Sequence, residues 1–482
     1  MKFRPVFHLI SYLMVVTGLA IWLCAGVGFH FNDPASAIHA LLYGGAAGVL
    51  SGLLINVLTR GPIALSRRDG FGVVSFGWLA VALIGSIPYV LSGVITDPVA
   101  ALFETVSGFT TTGASVLGNL ESLPKGILFW RSMTQWFGGM GVLVLCVAIL
   151  PFLGVGGMQL YRAEMPGPSK DRLTPRIATT AKLLWGLYAL MSVVQTLLLM
   201  AGGMDWFDAC CHTFATMSTG GFSTRTSSVA AFDSLYIDIV ITAFMFLAGA
   251  NFALHFRALR GAPGVFCKDP EFRFYTLIWL ASCLFMSVNL WMTGTEQAGG
   301  ALRHGFFQGT SILTTTGFAT RDFNLWPLAS RLLLVLLMFV GGCGGSTAGG
   351  IKAARFFVVF KHIGRELGRV IHPQSVARIK LGRTALDEGL IANIVTFVMI
   401  FFTVFAVMSF MMTFYTPDLV TATSAVVASL GNIGPGLGAV GAAETYAFIP
   451  SPGKLMLIVC MLLGRLELYT VLVLFMPSFW RQ

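Results

Sequence analysis

Four stretches of this chain place threonine, serine and glycine at the end of a short apolar run. The clearest is Glu104-Thr105-Val106-Ser107-Gly108-Phe109-Thr110-Thr111-Thr112-Gly113-Ala114. Aligned on its last glycine, the segment from His212 ends in Ser218, Thr219, Gly220 and Gly221, and the segment from Gln308 ends in Thr314, Thr315, Thr316 and Gly317. A weaker copy starts at Ala425 and ends in Gly431, Asn432, Ile433 and Gly434, keeping the glycine and losing the threonines. The anchor glycines lie 108, 96 and 117 residues apart, too uneven for a solenoid and suited to four large, diverged units. A cation leaving water needs its hydration shell replaced by oxygens, and backbone carbonyls turned to one axis supply them without a buried countercharge. Glycine permits the required backbone angles and threonine adds a hydroxyl oxygen. A short helix that ends at the same axis adds the negative end of its dipole.

The elements that must carry these motifs are membrane spans. Of 482 residues, 56% are hydrophobic and 11% charged, against roughly 25% charged in a soluble domain. About 20 apolar residues cross a bilayer, and ten such runs are predicted, at 6–28, 37–59, 71–95, 127–153, 181–202, 234–256, 274–293, 331–358, 389–415 and 455–477. The first lacks a small-residue cleavage site and reads as a retained span rather than a signal peptide. An even number puts both termini on one side. The N-terminus, the C-terminus and the loops at 60–70, 160–182, 257–273 and 352–388 hold 23 of the 31 Lys and Arg, so that side is expected to be cytoplasmic. The opposite loops carry seven bases, Arg131 and Lys125 among them, against twelve acids, a negative mouth that concentrates cations. All four motifs fall in these outward loops, each after an apolar segment too short to cross. The expected architecture is an all-α membrane protein with ten transmembrane helices. Residues 1–69 form an extra N-terminal helix pair, and 70–158, 159–262, 263–372 and 373–482 form four repeats of span, pore helix, filter and span around one pore. The eight cysteines show no CxxC or metal-ligand spacing and the eight histidines no HExxH, so no enzyme constellation and no organic cofactor is expected.

The glycine run Val340-Gly341-Gly342-Cys343-Gly344-Gly345-Ser346-Thr347-Ala348-Gly349-Gly350-Ile351-Lys352 interrupts the eighth span. Six glycines in ten positions oppose a helix at roughly 1 kcal/mol each. The run is compatible with close helix packing through small residues and with a flexible loop under the filter that obstructs or opens the pathway. A phosphate-binding loop is disfavoured, since GK[ST] is absent. Arg465 lies inside the tenth span, where a bare charge costs at least roughly 2.5 kcal/mol. A salt bridge to Glu467 or another buried group is one reading. Gly138, Gly139 and Gly141 read as packing positions, and Arg131 and Lys125 as interfacial anchors. The basic segment 352–383 is either a solvated positive-inside loop or a regulatory docking surface. Anionic lipid suits that face, and nothing suggests nucleic acid.

With these motifs assembled, the chain resembles the bacterial Trk-type potassium uptake proteins of the Trk/Ktr/HKT superfamily over nearly its whole length. Besides the four filters, the resemblance rests on Trp130-Arg131-Ser132-Met133-Thr134-Gln135-Trp136-Phe137-Gly138-Gly139-Met140-Gly141, on Glu164-Met165-Pro166-Gly167-Pro168-Ser169-Lys170, on the glycine run 341–350 and on Gly464-Arg465-Leu466-Glu467. It implies potassium as the transported ion and a single-chain, channel-like fold of four pseudo-repeats in the bacterial inner membrane. It also implies a homodimer with one pore per subunit and regulation by a cytosolic nucleotide-binding, TrkA-like ring. Plant relatives with serine at the first filter glycine resemble sodium carriers, so Gly113 points to potassium. By the same resemblance, Arg465 lies in the pore beside the loop 344–350, in gating and as an electrostatic barrier. The rival reading is a secondary transporter coupled to protons or sodium, which calls for inverted repeats and titratable groups at the midplane. The repeats here run in the same sense, and Glu467 is the one acid placed deep in a span.

Overall fold

The structure, a computed structural model, describes residues 3–61, 67–148, 173–374, 378–382 and 384–480. The segment 164–170, the end of the predicted span 127–153 and Arg383 lie outside the described residues. Helices α1 (Phe3–His30) and α2 (Ala35–Leu58) form an antiparallel hairpin across a turn at 31–34. The Trp22 indole donates to the Leu42 carbonyl at 3.0 Å, and the Asn56 amide to the Ser11 hydroxyl at 3.1 Å. Together with α3 (Arg67–Leu91), α4 (Pro98–Phe109) and α5 (Lys125–Ala148) they enclose an apolar core around Ile21, Leu41, Tyr89 and Trp130.

The order long helix, short helix, turn, long helix then recurs. Helix α6 (Leu173–Ala201) leads into α7 (Trp206–Met217), and α8 (Leu235–Ala248) is followed by α9 (Phe252–Leu259) and α10 (Val265–Lys268). Helix α11 (Pro270–Met292), α12 (Ala298–Leu313), α13 (Leu328–Val340) and α14 (Ala353–Ile371) come next. The last set is α15 (Glu388–Met412), α16 (Leu419–Leu430), α17 (Ser451–Arg465) and α18 (Tyr469–Leu472), with α19 (Pro477–Trp480) at the end. A small hairpin pairs Lys380–Leu381 with Thr384–Ala385 between α14 and α15.

Among the described residues, six helices are long and apolar enough to cross a membrane, and two bent pairs raise that to eight. Three of the predicted spans are not continuous. The run 234–256 turns by 101° between α8 and α9, because Asn251 leaves the helix to cap the next one, its Oδ1 accepting from the Ala253 amide at 2.9 Å. The run 455–477 turns by 112° after Arg465, where Glu467 takes a positive φ of 58° and its carboxylate is drawn aside by Arg355. The run 331–358 is helical in α13 and again from Ala353 in α14, with residues 341–352 non-helical between them.

The short helices α4, α7 and α16 have 12 residues each and α12 has 16. At 1.5 Å per residue a 12-residue helix reaches roughly 18 Å, well short of the roughly 30 Å hydrocarbon core. Three of them start at an aspartate cap, with Asp97 accepting from Val99 N, Asp205 from Asp208 N and Asp418 from Thr421 N.

A further cap is supplied from outside its own helix. Asp33, in the α1–α2 turn, accepts from the amides of Lys125 at 2.9 Å and Gly126 at 2.7 Å, the start of α5. We expect Asp33→Ala to cost about 1 kcal/mol and to lower the melting temperature of the purified protein in detergent. An unchanged transition would show that water replaces the carboxylate at this helix start.

Candidate cation site

Helices α4, α7, α12 and α16 all end in the same turn. The amides of Thr112, Gly220, Thr316 and Ile433 reach back to the carbonyls of Ser107, Ala215, Ser311 and Ala428, each at 2.8 Å. This closure requires a left-handed residue just before the donor, a place usually held by glycine. Here it is Thr111 (φ 52°), Thr219 (54°), Thr315 (59°) and Asn432 (54°). A β-branched residue in that region is an outlier, and such strain concentrates at working sites. Two residues on, Gly113, Gly221, Gly317 and Gly434 again have positive φ, from 74° to 97°.

The four turns meet in a closed ring. A Cβ placed on Gly113 would lie 2.1 Å from the Gly220 carbonyl oxygen, one on Gly221 1.9 Å from that of Thr316, one on Gly317 2.0 Å from that of Ile433, and one on Gly434 2.6 Å from that of Thr112. Each glycine thus abuts the equivalent carbonyl of the next motif, in the order first, second, third, fourth, first. The loops above repeat this order. Thr226 N donates to Glu121 at 2.8 Å, Ala230 N to the Ala319 carbonyl at 3.1 Å, Gly438 N to Asn324 Oδ1 at 3.0 Å, and Tyr446 N to the Ser115 carbonyl at 2.8 Å. Thr111, Thr112, Thr219, Thr315, Thr316, Asn432 and Ile433 are fully buried, yet among the described residues their carbonyl oxygens accept no hydrogen bond. Buried carbonyls are otherwise almost always paired. The hydroxyls of Thr110 and Thr112, and of Thr314 and Thr316, stand 2.8 Å apart.

Behind the ring lies a polar scaffold that motif reading overlooked. Nine residues before each filter glycine, Glu104 accepts from Ser115 Oγ at 2.9 Å and Val116 N at 2.8 Å, His212 Nε2 meets Ser223 Oγ at 2.9 Å, and Gln308 Nε2 donates to the Phe318 carbonyl at 3.2 Å. Gln135 clamps the second motif from α5, its amide donating to the Gly220 carbonyl at 2.7 Å and its oxygen accepting from Phe222 N at 3.0 Å. The signal was present in the sequence, as one polar residue at the head of three of the four aligned segments. Arg131 is no interfacial anchor. It is buried, 2.7 Å from Glu104, donates to the Ser223 carbonyl at 2.9 Å, and stacks over the Phe222 ring at 3.5 Å. Lys125 sits over the Phe207 ring at 4.5 Å.

The glycine-rich segment lies against the helix-end side of the ring. Gly349 N donates to Thr315 Oγ1 at 2.6 Å, Gly350 N to the Gly431 carbonyl at 3.0 Å, and Thr347 Oγ1 to the Met217 carbonyl at 3.0 Å. Residues 347–350 thus touch the ends of three short helices. Gly344 and Gly345 face away: Gly344 N donates to Glu271 at 2.5 Å, and the Gly345 carbonyl accepts from Phe252 N at 3.2 Å. Ser346 closes on its own loop through the Cys343 carbonyl at 2.6 Å, and Lys352 donates to the Ala348 carbonyl. Arg465 is buried at the end of α17 and donates to the Thr347 carbonyl at 2.7 Å and the Gly138 carbonyl at 3.3 Å. The salt bridge between Arg465 and Glu467 is not formed. Glu467 pairs with Arg355 of α14 instead, since the chain reverses after Arg465 and carries the two side chains apart. Gly138 and Gly139 are packing positions, on the Phe109 carbonyl and on Ser218 with Tyr188 respectively.

A multi-pass membrane protein with a buried ring of donor-poor carbonyls at its centre belongs to the class whose sites handle a dehydrated cation. Residues 47–482 match the TrkH family profile, described as cation transport protein. The chain is 45% identical over 486 residues to the Trk system potassium uptake protein TrkH of Halomonas elongata and 42% identical over 490 residues to that of Escherichia coli K12, each match covering 100% of both chains. It superposes on the crystal structure of the potassium transporter TrkH from Vibrio parahaemolyticus with a TM-score of 0.92 at 37% identity, again over 100% of both. The chain belongs to the TrkH family of cation transport proteins.

The Glu104–Arg131 pair generates a test of the scaffold. Arg131→Met leaves Glu104 buried without its cation, a loss of about 3–5 kcal/mol, and should nearly abolish the yield of folded protein. Glu104→Gln combined with Arg131→Met should recover much of it, as read by size-exclusion profile and melting temperature.

Proposed function

We propose that this chain carries potassium into the cell across a bacterial inner membrane, along a pathway whose narrowest level is formed by segments 110–113, 218–221, 314–317 and 431–434. The observation that carries this reading is the cyclic order of the glycine and carbonyl contacts, which makes four separate turns one ring. The relatives' names, potassium uptake protein and potassium transporter, supply the ion. The buried threonine carbonyls offer it oxygens in place of water, and the short helices end at the ring, so their dipoles favour positive charge there.

The finer arrangement belongs to the same proposal. Ten membrane crossings, with the broken segments counted as one each, put both termini in the cytoplasm, and the chain divides into the helix pair 1–69 and repeats 70–158, 159–262, 263–372 and 373–482. The segment 344–350 obstructs the pathway below the ring, and Arg465 holds it there through the Thr347 carbonyl while opposing the passing cation. A homodimer with one pathway per subunit and a cytosolic nucleotide-binding ring acting on the basic face around 352–380 complete the reading. Influx of potassium, rubidium and sodium into liposomes holding the purified protein, with and without an imposed proton gradient, tests it. Potassium influx that follows its own gradient supports a channel-like pathway, and influx that requires the proton gradient supports a coupled carrier.

Two substitutions separate the ring from the gate. In Gly113→Ser the new Cβ meets the Gly220 carbonyl, so the ratio of potassium to sodium influx should fall about tenfold, a change of about 1.4 kcal/mol in relative barrier. An unchanged ratio would remove Gly113 from the selective level. Arg465→Gln should act on rate instead. At an effective dielectric near 20, a guanidinium about 8 Å from the ion costs it roughly 2 kcal/mol, about thirtyfold in rate. Rubidium influx should rise at normal yield with the ion ratio unchanged, and an equal or lower influx would refute the barrier.

A further inference from the structure

The ring is supported differently at its fourth member. Pore helices α4, α7 and α12 each place a polar side chain nine residues before the glycine, Glu104, His212 and Gln308, where it bonds the strand just after that glycine. In α16 that position is Ala425, which has no polar side-chain atom, and Ser424 beside it bonds the amide and the carbonyl of Leu437, both at 2.9 Å. A Cβ placed on Gly434 would also have the most room of the four, 2.6 Å from the facing carbonyl against 1.9–2.1 Å for the others. The contact between the fourth and first motifs joins parts of the chain more than 300 residues apart, which the Asn432 side-chain amide also links by donating to Thr112 Oγ1 at 3.0 Å.

Tyr446 adds a support that the other three motifs lack. Its hydroxyl donates to the Gly434 carbonyl at 2.7 Å, its own amide donates to the Ser115 carbonyl of the first motif at 2.8 Å, and its ring packs on Phe103 of α4 with centroids 5.6 Å apart. The residue is 2% exposed. Among the described residues, the carbonyls of Gly113, Gly221 and Gly317 receive no such donor. Tyr446 therefore spans the seam at which the ring closes, and fixes the direction of one glycine carbonyl in it.

We propose that Tyr446 is a specificity-determining positioning residue, its hydroxyl holding the Gly434 carbonyl so that the ring keeps one radius. The proposal rests on the reading of these segments as the selective level. Without the hydroxyl, the Gly434 carbonyl is free to rotate toward a smaller ion, and the ring adapts to sodium. The loss of one neutral hydrogen bond corresponds to about fivefold in relative rate.

The test uses the full chain in liposomes and reads rubidium and sodium influx for Tyr446→Phe, Phe103→Leu and Gly317→Ser. Tyr446→Phe should lower the rubidium to sodium ratio about fivefold at normal yield and melting temperature. Phe103→Leu, which weakens the ring packing and keeps the hydroxyl, should lower the melting temperature and leave the ratio. Equal shifts in ratio for both would mean that Tyr446 acts through packing, and the proposal falls. A normal ratio in Tyr446→Phe beside a lowered one in Gly317→Ser overturns the role of Tyr446 and leaves the selective ring intact. Normal ratios in both overturn the ring reading itself. Should Tyr446→Phe be recovered in low yield, a fluorinated tyrosine at 446 changes donor strength at nearly constant shape, and a normal ratio there overturns the proposal equally.

Discussion

The structure turns on the absence of room for a Cβ where four backbone turns meet. Every other feature of the centre follows from bringing four carbonyls within contact of four α-carbons in a membrane protein. The glycines at 113, 221, 317 and 434 are required twice over, by positive φ and by the neighbouring carbonyl. The helices before them are short, 12 to 16 residues, because each ends where its turn enters the ring. Irregular backbone within a membrane is tolerated only when it is enclosed by protein or lines a polar cavity, and here the residues of the turns are buried. The strain in Thr111, Thr219 and Thr315 is held because the six-to-one hydrogen bond on one side and the ring on the other leave the turn no alternative.

Such a ring does not hold itself. Each member is a few residues of backbone whose carbonyls, if they are to face an ion, are withdrawn from hydrogen bonding with the protein. Its rigidity has to come from the layer behind. Glu104 with Arg131, His212, Gln308, Gln135 and Tyr446 supply that layer with different chemistry in each quarter. The four-fold order is therefore a property of the backbone, and the side chains around it obey no such symmetry. A buried ion pair adds little net stability but breaks expensively, which suits a device whose purpose is to keep a geometry.

On the other side of the ring, the glycine-rich segment 341–352 and Arg465 form a second layer made of backbone contacts. Its hydrogen bonds run to carbonyls and one hydroxyl from three short helices, while Cys343 and Ile351 tie it to the apolar core around the ring. Its side chains at Cys343, Ser346, Thr347, Ala348 and Ile351 are buried, but all except Ile351 are small. Arg465 adds a charge-assisted hydrogen bond, roughly twice as strong as a neutral one.

The sequence by itself determined that this is a membrane protein, that four related turns follow four short apolar segments, and that 341–350 cannot be an ordinary helix. These follow from composition, from a recurring pattern aligned on glycine, and from propensity, all of which are local. The breaks after Ala248 and Arg465, the exchange of Glu467 from Arg465 to Arg355, the burial of Arg131 and the support of Gly434 by Tyr446 were decided only in the tertiary structure. Each depends on a partner between 12 and 112 residues away or on the direction the chain takes at a bend. Apolar run length cannot show a bend, because the residues on both sides of it remain in an apolar setting. Pairing among scattered charges cannot be read from their order, because it is set by which helix faces meet once the four turns have closed.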